Sequence, residues 1–530
     1  VLNWLVVLLP GLAELLVGGY RIGGPSLWRD EGYTREVVQR SVSGIIALLG
    51  HQDAVHGLYY LLMHPIATVL GTSPTVLRIP SLAAACLAAS LTAALGRRLA
   101  SDAGLPAASA TGLLAGLLLV AIPLTTWYAQ DARPYAMATL CAVAATYLLV
   151  RGRAGRSRWW WAGYGAIIVV LALLDLLALP LVAAHGLSLL VMRGRPRGTA
   201  TCTGTSTGTG TQVDARPGSQ PAAWRASPAV SQPAAMRRWL VATAAAIVVL
   251  SPLIVLGQRQ AGQIGWITRP GMAAVDRLIS GFAGSEDLIP LVTALALFGA
   301  VADVSRRSRL ARAPAVVTVP WLVIPPVLLL AVSQVHPLYV ERYVVFCLPA
   351  AALLTAGGLT WLARLAALML PGSRWRALTV LPSALLVALI AAILVEPQQA
   401  IRLTPARTDN LRAVAAVVAA HERPGDAILY LPWNARVVGL TYPGPFRGLR
   451  DISLGTSATA SATLTGLPAP EPDLASRLAH VPRLWTVRWT SQRQLSHPQP
   501  FPEQSALVSR MHLIRTWRIK SVTLSLYAAD

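Results

Sequence analysis

Charge is scarce in this sequence. Only 13% of the 530 residues are charged, against roughly 25% in an ordinary soluble domain. Such a shortage excludes a water-facing surface over most of the chain. Lysine is almost missing, with Lys520 the only one, so the basic residues are nearly all arginine. The net charge of +22 would ordinarily suggest nucleic acid. Here the arginines fall in short clusters between apolar windows, as membrane topology arranges them, so no nucleic-acid partner is expected. The four cysteines are Cys86, Cys141, Cys202 and Cys347. Three lie in apolar windows and one in a low-complexity stretch. None has metal-ligand spacing or a disulfide-like partner. A nucleotide-binding loop, a zinc spacing and a hydrolase elbow are also missing.

What is present is apolar: 54% of the residues. Windows free of charge recur at 79–96, 105–126, 134–150, 159–174, 240–257, 316–335, 343–363 and 377–395. Most approach the roughly 20 residues that a helix needs to cross about 30 Å of hydrocarbon. The fold class expected is a polytopic α-helical membrane protein of about eleven transmembrane helices. Residues 1–19 read as a retained first helix, not a cleaved leader.

The arginines give a direction. Arg97 and Arg98, then Arg151 to Arg158, then Arg193 to Arg238, then Arg306 to Arg312, then Arg364 to Arg376 occupy every second gap. The positive-inside rule makes these gaps cytoplasmic. The alternate gaps hold Asp30, Glu31, Glu36 and Asp53, then Asp131, Asp175, Asp276, Glu286, Asp287 and Glu341, and would face outward. The alternation requires that 33–71 does not cross, so one or two juxtamembrane helices are expected along the outer surface within the first outer loop, 20–75.

Residues 1–397 read as the membrane domain and 398–530 as a small extracytoplasmic α/β domain. The stretch 193–236 is a low-complexity cytoplasmic linker with a disordered composition. In the tail, 409–421 has helical spacing, 427–431 (AILYL) and 484–489 (LWTVRW) look like strands, and 511–527 suits a hairpin.

Three outward segments could carry chemistry. Leu27 to Tyr33 places Asp30 beside Glu31 at a membrane boundary, which suits a general base or a metal ligand, or an ordinary acidic loop. Trp127 to Tyr135 carries Asp131 and Arg133 between two uncharged spans. Charges there are costly unless used or paired with each other. His336 to Tyr343 contains Arg342, whose planar fork could hold a phosphate, or Glu341 and Arg342 mark a helix boundary. A supporting stretch, 51–64, sets His51, Asp53, His56 and His64 in an aromatic run suited to the interface.

In order and position these segments resemble the GT-C glycosyltransferases. The nearest group looks like the bacterial dolichyl-phosphate-mannose–protein mannosyltransferase-like and aminoarabinose-transferase-like enzymes. The resemblance rests on DEGYT (30–34), HGLYYLLMH (56–64), TSPTVLRIPS (72–81), YAQDARPYA (128–136) and ERYVVFCLPA (341–350), and covers about 1–395. It implies transfer of a sugar, mannose by default and a pentose next, from a polyprenyl-phosphate donor. The acceptor, a protein, lipid or polysaccharide, would lie outside the cytoplasmic membrane. By matching position Asp30 is the base and Glu31 assists or orients it. Asp131 and Arg133 fall in the second active-site loop, and with His56, Tyr135 and Arg342 they are the candidates for binding the donor, Arg342 for its phosphate. His56-Gly57 stands where the family often has two prolines, and Asp131 where Glu is commoner. A divalent metal is left open, with Asp30, Glu31 and His56 as oxygen and nitrogen donors.

Two other classes compete. A secondary transporter or flippase of lipid-linked sugars would suit intramembrane charge, but no internal repeat is visible. A non-catalytic envelope-assembly protein would tolerate loss of Asp30.

Overall fold

The computed structural model describes residues 2–105, 107–155, 157–192, 232–305, 313–369, 380–404, 406–489 and 511–529. The expected linker lies outside the described residues up to 231, as do Cys202 and the arginines at 156, 193, 195, 197, 225, 306, 307, 309, 312, 374 and 376.

Helix α1 (Leu2–Gly19) is followed by three short helices, α2 (Arg29–Val37), α3 (Val42–His51) and α4 (Gly57–Leu70). At 9, 10 and 14 residues, none of these three reaches across a bilayer. Asp30 and Glu31 lie in the first turn of α2, where carboxylates meet the positive end of the helix dipole. The Ser41 hydroxyl caps α3 through the Gly44 amide at 3.1 Å. Ser73, with Pro74 behind it, starts α5 (Pro74–Asp102) by accepting from the Val76 amide.

The apolar series continues through α6 (Ala108–Ala121), α7 (Pro123–Ala129), α8 (Tyr135–Ala154), α9 (Trp159–Leu174), α10 (Pro180–Val191) and α11 (Gln232–Arg259). It ends with α12 (Met272–Ala283), α13 (Ile289–Val304), α14 (Ala313–Val332) and α15 (Leu348–Met369), then the helix Val380–Ile393. Among the described residues six helices are long and apolar enough to cross a membrane, or seven if α6 and α7 count as one broken span. The expected eleven is therefore not reached on length. The window 105–126 is not straight either: the chain bends by 69° between α6 and α7, where Pro123 begins the second piece. Glycine lets the helices touch. A Cβ on Gly112 would run into the Ala93 carbonyl, and one on Gly358 into that of Leu295.

The separation of charges by side has exceptions. Asp102 pairs with Arg98 at 3.0 Å on the arginine-rich side. Glu14 is buried inside α1, and neither carboxyl oxygen has a hydrogen-bond partner among the described residues.

The tail forms a mixed five-stranded sheet. Its strands are β1 (Ala427–Leu431), β2 (Arg450–Asp451), β5 (Arg483–Trp489), β6 (Met511–Ile519) and β7 (Val522–Ala529). A separate ribbon pairs β3 (Leu454–Thr456) with β4 (Leu467–Pro468). The sheet order is β2-β1-β5-β7-β6, with β1 parallel to β2 and β5, and β7 antiparallel to β5 and β6. All five residues of β1 are buried, because both faces are covered. Ile428 and Tyr430 pack with the helix Leu411–His421, while Ala427, Leu429 and Leu431 join Ile452 and Val481 on the other face.

Candidate active site

The first turn of α2 lies where the membrane helices and the sheet domain meet. From the sheet domain, Asp409 accepts from the Arg29 amide at 3.1 Å and Tyr442 from the Leu27 amide at 3.0 Å. Arg35, one turn further along α2, donates to the Thr441 carbonyl. Gly32 permits this seat, since a Cβ there would strike the Thr441 hydroxyl.

The adjacent carboxylates have different surroundings. Glu31 is fully buried and held by Arg78 through two bonds of 2.7 Å. It also accepts from the Ala132 amide at 2.9 Å and the Trp28 amide at 3.4 Å. Burial would raise its pKa, but Arg78 and the other donors hold it below the ordinary glutamate value. With its oxygens so engaged, Glu31 joins α2, α5 and the 130–134 loop; it is not presented to an acceptor. The Asp30 side chain is 13% exposed, and its carboxylate accepts no hydrogen bond from the described residues. Arg342 stands 3.7 Å and Arg29 3.8 Å from its oxygens. Burial opposes ionisation, yet the charges of Arg342, Arg133 and Arg29 keep its pKa below the usual aspartate value.

Arg133 is directed by a buried relay. Its Nη2 donates to His56 Nε2 at 2.7 Å, and His56 Nδ1 meets Asp53 at 2.6 Å. Arginine can only donate, so His56 Nε2 accepts and Nδ1 carries the proton. Burial and then Arg133 lower the His56 pKa, consistent with the neutral ring. Tyr60 donates to the second Asp53 oxygen. Asp53 itself adopts a left-handed backbone, φ 59°.

Asp131 and Arg133 form no ion pair with each other. Asp131 is buried and accepts from the Trp28 indole at 2.9 Å, while its other oxygen lacks a partner among the described residues. Burial, then the negative charge of Glu31, pushes its pKa up to about 6. Arg342 lies over the rings of Trp28, Trp266 and Tyr343 at 5.4 to 5.8 Å from their centroids, and its buried Nε has no partner among the described residues. Glu341 turns away to Arg277 at 2.7 Å. Tyr135 packs edge-on to Tyr128 and against Tyr343.

Asp30, Arg133, Arg342 and His56 are thus brought together, with Tyr135 beside Arg342 and with Glu31 and Asp131 behind Asp30. His51 and His64 stay outside, each bonded to a backbone carbonyl at 2.9 Å. Asp30, Glu31 and His56 do not make a metal site: Glu31 is engaged by Arg78 and both His56 nitrogens are in use. Among the described residues no group of three His, Cys, Asp or Glu could hold a metal ion.

Several contributors escaped the sequence reading. Arg78 had a signal, a lone charge just before an apolar window. Arg407 had none: it is 1% exposed, lies 4.1 Å from the Trp127 ring centroid, and donates to the Gln130 and Trp127 carbonyls.

No protein-family model matches the sequence, and no curated protein matches it. Solved structures do share its shape. ArnT from Cupriavidus metallidurans in the apo state superposes with a TM-score of 0.57 at 12% identity, over 98% of this chain and 97% of that one. ArnT bound to undecaprenyl phosphate gives 0.57 at 13% over the same shares. The apo oligosaccharyltransferase from Archaeoglobus fulgidus gives 0.50 at 12% over 91% of this chain and 69% of that one. ArnT, an aminoarabinose transferase, and this oligosaccharyltransferase are both GT-C superfamily members, and it is their fold that the chain carries.

Proposed function

We propose that the protein is a membrane glycosyltransferase that moves a sugar from a polyprenyl-phosphate donor to an acceptor hydroxyl on the outer side of the cytoplasmic membrane. The observation that carries this reading is Asp30: an ionised carboxylate free of hydrogen bonds from the described residues and surrounded by Arg342, Arg133 and Arg29. A base needs that freedom to approach an acceptor, and an anionic leaving group needs those cations.

In the reaction the acceptor oxygen attacks the anomeric carbon and its proton passes to Asp30. The bond from that carbon to the phosphate oxygen breaks, and its electron pair leaves with the polyprenyl phosphate beside Arg342. Arg133, aimed by His56 and Asp53, adds a second positive charge. Glu31 acts as a positioning residue: with Arg78 it fixes the turn that carries Asp30. Asp131 does the same through Trp28, whose ring also packs against Arg342, and Tyr135 borders Arg342. The undecaprenyl phosphate bound to ArnT supports a lipid-phosphate donor. Mannose is the favoured sugar, on the motif resemblance.

The test is transfer of labelled mannose from polyprenyl-phosphate mannose to membrane acceptors by purified protein in liposomes. Activity in the wild type and its loss in Asp30→Asn are expected. Retained transfer by Asp30→Asn would remove the base assignment. Solute uptake without transfer to any acceptor would favour a transporter.

A further inference from the structure

A groove of about 660 Å³ opens between α9 and α11, far from Asp30. The far end of α9 leads into the turn 176–178, which packs against 341–347 beside Arg342. The groove begins at the other end, a helix length of about 24 Å away at 1.5 Å per residue. Arg158, Arg237 and Arg238 stand there, where the two helices start. Below them α9 presents Ala162, Ala166 and Val169, and α11 presents Val241, Ala245 and Val249. These spacings of three and four place each set on a single helix face. Gly165 lets α9 rest against Ala242, whose carbonyl lies 3.2 Å from where a Cβ would sit, so small residues make the floor.

The dimensions fit one occupant. From Arg158 to Val169 the groove runs about 16 Å, half of a hydrocarbon core of about 30 Å and so one leaflet deep. Charge lies only at its mouth and the rest is apolar. Among the described residues only 17% of the α11 span is buried, so these residues leave the groove open to the bilayer. Trp159, with Arg158 5.8 Å from its ring centroid, adds an aromatic at the level where headgroups sit.

We propose that this groove binds an anionic phospholipid of the arginine-side leaflet. Its phosphate is held by Arg158, Arg237 and Arg238, and one acyl chain lies along the α9 and α11 stripes. A free phosphate would leave the stripes uncovered. A helix from a second copy would cover them without using the arginines. The site is separate from the proposed donor site and stands whether or not the protein transfers sugar.

The test uses the full chain in nanodiscs containing photoactivatable phosphatidylglycerol or, in parallel, phosphatidylcholine with the same reactive chain. Cross-links are then mapped by mass spectrometry. The phosphatidylglycerol probe should label 158–169 and 238–249 well above the phosphatidylcholine probe. Each single Arg→Gln change at the mouth should reduce that labelling about fivefold. Ala245→Leu, at an exposed groove position, should block labelling with the arginines intact and the protein still monodisperse. Equal labelling by both probes would overturn the proposal, as would labelling unchanged in both kinds of variant. So would cross-links showing the groove covered by 193–231 or by a second copy.

Discussion

Asp30 and Glu31 are neighbours in sequence with opposite fates. Asp30→Asn should reduce transfer by about 10³-fold, within the range for removal of a general base, with insertion unchanged and only a small fall in melting temperature from the lost attraction to Arg342. Assays of purified protein alongside thermal unfolding in detergent would check this. Glu31→Gln should act first on stability: removing one partner from a buried ion pair costs about 3–5 kcal/mol. An unchanged melting temperature with transfer alone abolished would contradict the anchor role. Asp131 gives a pH test. Its folded pKa is raised to about 6, so stability falls as pH climbs from the ordinary aspartate value through about 6, and the full cost of the buried charge is present above that. Asp131→Asn keeps an oxygen for Trp28 and removes the charge. It should therefore raise the melting temperature more at pH 7.5 than at pH 4.5. Asp30 has the opposite sign: its depressed pKa adds stability above the ordinary aspartate value, lost as pH falls through the folded value. The polar candidates were legible because charge stands out against an apolar background. Their division of labour was not. Arg78, which claims Glu31, lies 47 residues away, and the Asp53 that aims Arg133 through His56 looked like one more loop acid.

At the level of elements, the short helices after α1 were readable only through the arginine alternation, which required that 33–71 not cross, whereas the break at Pro123 was hidden inside an uncharged run. Whether proline bends or ends a helix depends on what surrounds it, and here the bend leads into the 130–134 loop that meets Glu31. The seat of α2 on the sheet domain was invisible in sequence, because it depends on a missing side chain meeting a hydroxyl over four hundred residues away. Gly32→Ala should force α2 off Thr441. The expected cost is about 1–3 kcal/mol, read as faster proteolysis of 398–530 and about tenfold slower transfer. Thr441→Ala in the same chain should recover part of both. No recovery would place the damage elsewhere.

On the scale of the molecule, hydropathy identified a multi-pass membrane protein, and the tail's strands at 427–431 and 484–489 stood out as short apolar and aromatic runs. The span count was less readable, since several apolar helices fall short of a full crossing and length alone does not decide them. Orientation can be measured. Asp276→Cys, exposed on α12 near the Arg342 end, in a chain with Cys202 replaced by serine, should react with a membrane-impermeant thiol reagent added to intact cells. Labelling only after lysis would invert the topology. The hairpin between β6 and β7 has one more consequence. At its tip Lys520 donates to the Arg407 carbonyl at 2.5 Å and Ser521 to Asp409 at 2.5 Å, and Asp409 in turn holds the amide of Arg29. The turn bearing Asp30 thus draws part of its support from a hairpin nearly five hundred residues further along the chain. A chain lacking 511–529 would keep the Arg78 tie to Glu31 and lose the hairpin's brace on Asp409, so the Arg29 amide would be held less firmly. Part of the rigidity around the carboxylate is lent by a hairpin that bonds to Asp409 and Arg407, not to the turn itself.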